Sequence, residues 1–120
     1  MARNEGESER TDLLQGTLDM LVLRTLLFGP LHGYGIAKAI GQTSQQSLQI
    51  EFGSLYPSLR RLEVKGWIAS KWDMSETNCR AKMYRLTAAG RKQLILEKSK
   101  WTNLVTAITR VTTAPKGGNV

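Results

Sequence analysis

Cysteine, histidine and long apolar runs are scarce in this sequence, and each shortage excludes a class of protein. The single cysteine, Cys79, cannot form a disulfide within the chain or build a cysteine metal site. The single histidine, His32, has no partner for a metal site and is interpreted as a helix cap or packing residue. The longest apolar run, 13–28, contains Asp19 and Arg24 and is shorter than the roughly 20 apolar residues of a membrane helix. We therefore expect a soluble cytoplasmic protein with no cofactor and no membrane partner.

Motifs that mark enzyme active sites are also missing. The sequence contains no paired carboxylates at helical spacing in an apolar setting, no glycine-rich phosphate loop after a strand and no nucleophile elbow. Asp19 falls inside an apolar helix pattern, which favours an ion pair or a place at the helix margin over a role as general base. These absences predict a protein that is not an enzyme.

Positive charge is abundant and unevenly placed. Seventeen Lys and Arg against ten Asp and Glu give a formal net charge of +7 at pH 7. Residues 60–100 alone carry eleven basic and four acidic side chains, whereas residues 1–12 are acidic overall. A basic half on a small chain favours a polyanionic partner such as nucleic acid over a merely soluble basic surface.

The chain of 120 residues is long enough for one small domain with flanking segments. Residues 1–12 are polar, charged and without a signal-peptide pattern, so they are predicted to be flexible. Residues 13–87 are predicted to form the domain and residues 88–111 a long helix. Residues 112–120, which contain Pro115 and two glycines, are predicted to be a flexible tail.

Periodicity predicts the element order helix, helix, short strand, helix, hairpin and long helix. The predicted elements are helices at 13–28, 34–40, 54–65 and 88–111, a strand at 48–52, and hairpin strands at 67–74 and 82–87. Gly29 and Pro30 end the first helix, and residues 31–33 are predicted to form a turn. Tyr34 is predicted to pack in the second helix, and Thr87 can cap the last.

The helix predicted over 54–65 carries the clearest functional pattern. Its apolar face, at 100° per residue, consists of Leu55, Leu59 and Leu62. Ser54 can cap this helix, Pro57 falls in its first turn and Gly66 can end it. The opposite face is basic with one aromatic ring, which suits a recognition helix in a DNA major groove, where cations meet phosphates and Arg meets base edges.

Three helices followed by a two-stranded hairpin predict a winged helix-turn-helix, mainly α with a small β hairpin and a long C-terminal dimerisation helix. The third helix is then the recognition helix, and the hairpin is the wing beside it. Both are expected to face one duplex, with the wing along phosphates or a minor groove. The residues predicted to contact double-stranded DNA are Ser54, Tyr56, Pro57, Ser58, Arg60, Arg61, Lys65, Arg80 and Lys82.

The last helix predicts a homodimer, because its apolar residues recur at heptad spacing along one stripe. The apolar faces of the first helix offer this stripe a place to pack. The residues predicted at the dimer interface are Leu14, Leu18, Leu94, Trp101, Leu104, Ile108 and Val111. A two-fold dimer presents recognition helices to half-sites of a pseudo-palindromic operator about 34 Å apart. The alternative is that the helix folds back on its own domain and Trp101 is core.

Five stretches form an ordered set that resembles the PadR family of transcriptional regulators, short type. They are residues 14–19, 29–36, 53–63, 66–68 and 80–90, which include Gly33-Tyr34-Gly35, Ser54-Leu55-Tyr56-Pro57 and Tyr84-Arg85-Leu86-Thr87. The resemblance implies a homodimeric, ligand-responsive repressor. It implies DNA contacts for Tyr56, Pro57, Ser58 and Arg60 on the recognition helix and Lys82 in the wing. It also suggests that a small aromatic effector stacks at Trp101.

Two further interpretations stay open. Winged helices also dock onto proteins, so a protein-interaction module without specific DNA binding is the alternative function. Such a module should show more apolar or acidic groups on the outward face of 54–65 than this sequence has. Cys79 lies beside Arg80, and is either a thiol that senses oxidants or an incidental exposed thiol, the interpretation that we favour.

Overall fold

The computed structural model describes residues 15–74 and 76–115. The helices are α1 (Gln15–Thr25), α2 (Gly33–Thr43), α3 (Phe52–Val64) and α4 (Ala88–Thr112), with a 3-10 turn at Leu26–Phe28. The strands are β1 (Leu31–His32), β2 (Ile68–Met74) and β3 (Arg80–Leu86). This order confirms the predicted winged helix-turn-helix with a long C-terminal helix. The predicted flexible segment 1–12, the predicted interface residue Leu14 and residues 116–120 of the predicted tail lie outside the described residues.

The core lies where α1, α2 and α3 meet the sheet and the start of α4. Its buried apolar side chains are Leu18, Val22, Leu23, Leu26, Ile36, Ile40, Leu55, Leu59, Leu62, Ile68, Tyr84 and Leu94. Because α1 contacts α2, α3 and α4, several of its faces are covered within one chain. Leu18 and Leu94 are only 4% and 7% exposed, so they have almost no surface left for the dimer interface to which the sequence assigned them.

The three strands form an antiparallel sheet in the order β1-β3-β2. The hairpin of β2 and β3 pairs from Ile68 with Leu86 to Met74 with Arg80, and it forms the wing. On its other side β3 pairs with β1, where the sequence predicted only a turn at 31–33. A strand of two residues is too short to show the alternation by which strands are recognised.

The predicted strand at 48–52 is wrong. Residues 47–51 have no regular structure, and Phe52 is the first residue of α3. Leu48 and Ile50 are half-buried against the core, whereas their neighbours are exposed, so the alternation is real. Among the described residues, however, no strand pairs with this segment. Alternating burial identifies the side chains that face the core, but a strand also needs a backbone partner.

The start of α3 lies two residues before the predicted cap. The helix begins at Phe52 with Glu51 as its N-cap, so Ser54 lies inside the helix. Pro57 is therefore in the second turn and not, as predicted, in the first. Its missing N–H removes the intrahelical hydrogen bond to the carbonyl of Gly53, a residue that is exposed to solvent.

The end of α3 is the predicted turn at Gly66. The φ of Gly66 is 78°, in the left-handed region that favours glycine. The N–H groups of Gly66 and Trp67 donate to the carbonyls of Glu63 and Leu62, both at 3.0 Å, which closes a Schellman motif. This turn sets the direction in which β2 leaves α3, and so it places the wing beside the recognition helix.

The start of α4 is fixed by Thr87 and Gly90. The Oγ1 atom of Thr87 accepts from the N–H of Gly90 at 3.0 Å, as predicted for a cap, and donates to the carbonyl of Gly66 at 2.7 Å. A Cβ atom at Gly90 would lie 2.0 Å from the carbonyl oxygen of Trp67, so α4 packs directly on that backbone. After Leu94, α4 leaves the core, and its remaining residues are exposed or half-buried.

Candidate nucleic-acid interface

The outer face of α3 is polar, basic and exposed. Its three leucines, at 55, 59 and 62, are fully buried on the opposite side, as the helical wheel predicted. The exposed residues among those predicted to contact DNA on this helix and its C-cap are Ser54, Tyr56, Pro57, Arg60 and Lys65. A helix with this face can place an Arg fork at base edges and a Lys at phosphates.

Ser58, which the sequence placed on the flank of the recognition helix, is fully buried. Its hydroxyl donates a hydrogen bond of 2.5 Å to Oδ1 of Asp19 on α1. Ser58 lies three residues after Leu55 and four before Leu62, which puts it within the buried stripe of α3. The prediction that Ser58 contacts DNA is therefore wrong for this structure, because α1 covers it.

Arg61 also turns toward Asp19. Nη2 of Arg61 lies 2.8 Å from Oδ1 of Asp19, and its Nε lies 3.5 Å from Oδ2, a bidentate and charge-assisted arrangement. The side chain of Asp19 is 10% exposed and that of Arg61 is 30% exposed. The predicted pairing of Asp19 is confirmed, and the guanidinium predicted to contact DNA is instead held against α1.

Glu63 connects the wing to the end of α3. Its carboxylate accepts a hydrogen bond from the hydroxyl of Ser70 on β2 and lies 3.7 Å from Nζ of Lys82 on β3. Lys82 is half-exposed, and Arg80 is exposed with its guanidinium carbon 5.1 Å from the ring centroid of Trp72. Both cations predicted in the wing therefore lie on β3, and Lys82 reaches the end of α3.

Tyr84, on the wing strand β3, is a buried residue of the core. Burial raises the pKa of its phenol above the usual value of 10.0, and the nearby Glu63 and Tyr56 raise it further. Tyr84 therefore remains a neutral phenol, and a hydrogen-bond donor, at neutral pH.

An aromatic row that sequence reasoning missed lies next to the basic face. Its ring centroids are separated by 6.3 Å from His32 to Tyr34, 6.5 Å from Tyr34 to Phe52, and 5.7 Å from Phe52 to Tyr56. The sequence predicts that Tyr34 packs in the second helix and that Phe52 ends a strand, yet these side chains are 60% and 43% exposed. Phe52 and Tyr56 are four residues apart, a spacing that puts two side chains on the same face of a helix. This spacing predicts the contact between the two rings only when α3 begins at Phe52, and the sequence predicted a later start.

His32, the histidine of the sequence, has a structural role. Nδ1 of His32 accepts a hydrogen bond of 3.0 Å from the N–H of Gly35, which confirms its interpretation as a helix cap.

Within 15–74 and 76–115, no three His, Cys, Asp or Glu side chains are grouped so that they could hold a metal ion. No helix in this described part is both long and apolar enough to cross a membrane.

The second half of α4 carries the rest of the predicted dimer stripe, and no described residue of the same chain covers it fully. The exposed fractions are 45% for Trp101, 52% for Leu104, 50% for Ile108 and 78% for Val111. Trp101 and Leu104 also line a shallow cavity of about 220 Å³ against residues 16, 17 and 20 of α1.

The recognition helix, the wing and the exposed basic groups beside them define a winged helix-turn-helix protein of the DNA-binding class. Residues 22–95 match the model of the transcriptional regulator PadR-like family. Because this match covers more than half of the chain, the protein belongs to the PadR-like family of transcriptional regulators. Members of this family are regulators, not enzymes, in agreement with the missing catalytic motifs.

Solved structures and a sequence relative agree with this family. A transcriptional regulator from Clostridium thermocellum superposes with a TM-score of 0.75 at 30% identity, over 83% of this chain and 97% of that one. A PadR family transcriptional regulator from Eggerthella lenta superposes with a TM-score of 0.71 at 34% identity, over 83% and 85% of the chains. The negative transcriptional regulator PadR of Bacillus subtilis is 30% identical over 77 residues, which are 64% of this chain and 42% of that protein's length.

Proposed function

We propose that this chain is a sequence-specific repressor that binds a pseudo-palindromic operator as a homodimer. The observation that carries this proposal is that Tyr56 of α3 and Lys82 of the wing line the same cleft. The recognition helix and the wing therefore form one surface, on which the exposed Arg60 and Arg80 can reach a duplex. Repression is supported by the sequence similarity to a protein described as a negative transcriptional regulator.

The residues of this surface have different roles in the proposed complex. Arg60 reads a base edge in the major groove, because its fork is exposed on the outer face of α3. Lys82 and Arg80 contact phosphates from the wing. Ser58 and Arg61 do not contact DNA; they hold α3 against α1 through Asp19 and so set the angle at which the recognition helix is presented.

The homodimer is supported by the apolar stripe of α4. Trp101, Leu104, Ile108 and Val111 together leave a large exposed apolar surface along one side of this helix. Contiguous apolar surface of this kind marks a site of protein association. A second copy of the chain that packs on it by two-fold symmetry also supplies the second recognition helix that a pseudo-palindromic operator needs.

We also propose that the chain responds to a ligand, and that the cavity beside Trp101 is where the ligand binds. Its volume of about 220 Å³ in one chain is smaller than the roughly 300–1,000 Å³ typical of ligand sites. A second copy of α4 would add a wall and allow a flat aromatic effector to stack on the indole. Planar dyes should quench the tryptophan emission of the parent, and they should quench that of Trp101→Leu much less. Equal quenching in the two proteins would exclude this location of the ligand site.

The first test selects bound duplexes from a random pool to obtain an operator. Fluorescence anisotropy then measures the affinity of the parent and of two variants for that operator. Arg60→Ala should cost about 1–3 kcal/mol of binding and relax one operator position. Lys82→Gln should weaken binding to all sequences alike and lower the slope of log K against log salt by roughly one unit.

Lys98→Gln is the matched control, since it removes the same charge from an exposed position of α4. If Arg60→Ala and Lys82→Gln bind the operator with the same affinity as this control, the DNA interface lies elsewhere on the protein. If the parent binds no duplex above its non-specific level, the protein-interaction module becomes the better explanation of the fold.

A further inference from the structure

Phe52, the first residue of α3, has a phenyl ring exposed beside the proposed contacts with DNA. Its side chain is 43% exposed. It precedes Tyr56 by four residues and Arg60 by eight, so the three side chains lie within about 80° of one another around the helix. The ring therefore lies on the outer face of the recognition helix, although the proposed function gives it no role.

The ring of Phe52 is held between two tyrosines. Its centroid lies 6.5 Å from that of Tyr34 on α2 and 5.7 Å from that of Tyr56, with the ring planes inclined by 26° and 28°. Tyr34 is itself 60% exposed, so the row is a feature of the surface and not of the core. A ring that its neighbours already fix loses little side-chain freedom when a binding partner covers it.

The charge around Phe52 is poorly suited to phosphates. Glu51 is the single charged residue of the segment 47–59, and it is exposed at the N-cap of α3. The N–H groups of a helix N-terminus attract anions, but this carboxylate already lies there and would repel a phosphate. The exposed cations Arg60 and Lys65 lie toward the other end of the helix. The first turn of α3 therefore favours an uncharged partner.

The major groove offers an apolar ring one such partner, the 5-methyl group of thymine. The other distinctive groups of the base edges there are hydrogen-bond donors and acceptors, which a phenyl ring does not satisfy. In a helix-turn-helix, the N-terminal residues of the recognition helix are the ones that contact base edges. The surface next to Phe52 is open, because a Cβ atom at Gly53 would meet nothing within 4 Å.

We propose that Phe52 determines specificity by contacting the 5-methyl group of a thymine in each half-site, and that Tyr34 positions its ring. This inference rests on the proposed function, in which α3 lies in a major groove. Arg60 is about 12 Å further along the helix, so this thymine and the base that Arg60 reads belong to different base pairs. Since 5-methylcytosine carries its methyl group at the same place on the ring, Phe52 should also distinguish it from cytosine at this position.

The first experiment removes single methyl groups from the DNA. The selected operator is synthesised with deoxyuridine in place of one thymine at a time, which keeps every hydrogen-bonding group of the base pair. At one position of each half-site the parent should bind about fourfold more weakly, the scale of one buried methyl group. At that same position, an operator with 5-methylcytosine should bind more tightly than one with cytosine by a similar factor.

Variants of the chain assign the methyl contact to Phe52. Phe52→Ala should bind the thymine and deoxyuridine operators with equal affinity, and circular dichroism verifies that it keeps the fold. Phe28→Ala is the matched control, since it removes a phenyl ring that is 78% exposed and lies outside the aromatic row. This control should keep the fourfold difference.

Two variants test the positioning role of Tyr34. Tyr34→Ala removes the ring beside Phe52 and should reduce the difference between thymine and deoxyuridine, because the phenyl ring is no longer held. Tyr34→Phe keeps that ring and should restore the difference. Equal differences in the parent and in Tyr34→Ala would show that Tyr34 does not position Phe52.

The outcomes separate this inference from the proposed function. A selected operator that the parent binds and that Arg60→Ala binds more weakly supports the proposed function alone. If the parent then binds every deoxyuridine operator as tightly as the thymine operator, or if Phe52→Ala keeps the fourfold difference, Phe52 does not read thymine, whereas the proposed function stands. Failure of the parent to select any operator would overturn both.

Discussion

The carboxylate of Asp19 and the guanidinium of Arg61 join the first helix to the recognition helix, with Oδ1 and Nη2 2.8 Å apart. Ser58 donates to the same carboxylate oxygen from the buried side of α3. Arg60, the adjacent residue, points to solvent instead. Two neighbouring arginines therefore differ in role, one in the stability and orientation of α3 and the other in the proposed contact with DNA.

Replacement of Arg61 by alanine should destabilise the fold. The change leaves the nearly buried carboxylate of Asp19 without its cation, and we expect a loss of about 3 kcal/mol in the free energy of unfolding. Urea denaturation followed by circular dichroism measures it. Arg60→Ala removes an exposed side chain from the same helix and should change the stability by less than about 0.5 kcal/mol. Equal stabilities of the two variants would contradict the assigned roles.

Trp101→Glu should dissociate the proposed dimer. The substitution puts an unpaired charge into the apolar stripe of α4, where a second copy would have to bury it. Sedimentation equilibrium should show a parent dimer and a monomeric variant with weaker operator binding. Thr106→Glu adds the same charge about 140° away around the helix and should stay dimeric. A dimeric Trp101→Glu with unchanged operator affinity would place the interface elsewhere.

Gly90→Ala should be strongly destabilising, although alanine is the better helix former. The added Cβ would lie 2.0 Å from the carbonyl oxygen of Trp67, so α4 must move away from the turn at Gly66 and Trp67. We expect a loss of about 2–3 kcal/mol in the free energy of unfolding, the scale of an overpacked core. Gly53→Ala is the control in α3, where a Cβ meets nothing within 4 Å. That variant should be as stable as the parent or more stable.

Alkaline pH should weaken the fold through Tyr84. The pKa of its phenol is raised in the folded state, so above about pH 10 the unfolded chain releases this proton first. Unfolding then becomes more favourable as the pH rises toward the folded-state pKa. Tyr84→Phe lacks this ionisation, so its free energy of unfolding should fall less steeply than that of the parent above about pH 10. Urea denaturation of both proteins across this range measures the slopes, and parallel curves would count against a raised pKa.

Much of the architecture follows from local patterns in the sequence. The spacing of apolar residues predicts the helices to within a few residues, because an amphipathic helix must bury one face. Gly66 and Thr87 mark real helix boundaries, since a left-handed residue and a side-chain cap are local requirements. The same patterns predict a wing after the recognition helix and a basic surface on both.

The sequence alone could not assign the individual side chains of the candidate site. Ser58 lies beside the three leucines of α3 and Arg61 lies further round the helix, and the approach of α1 with Asp19 decides that both side chains turn toward α1. The segment 48–52 alternates like a strand but has no backbone partner among the described strands. Leu94 shares its heptad position with Trp101, yet it belongs to the core because the first two turns of α4 pack on the turn at Gly66 and Trp67. Each outcome depends on which elements meet in three dimensions, whereas periodicity describes one element at a time.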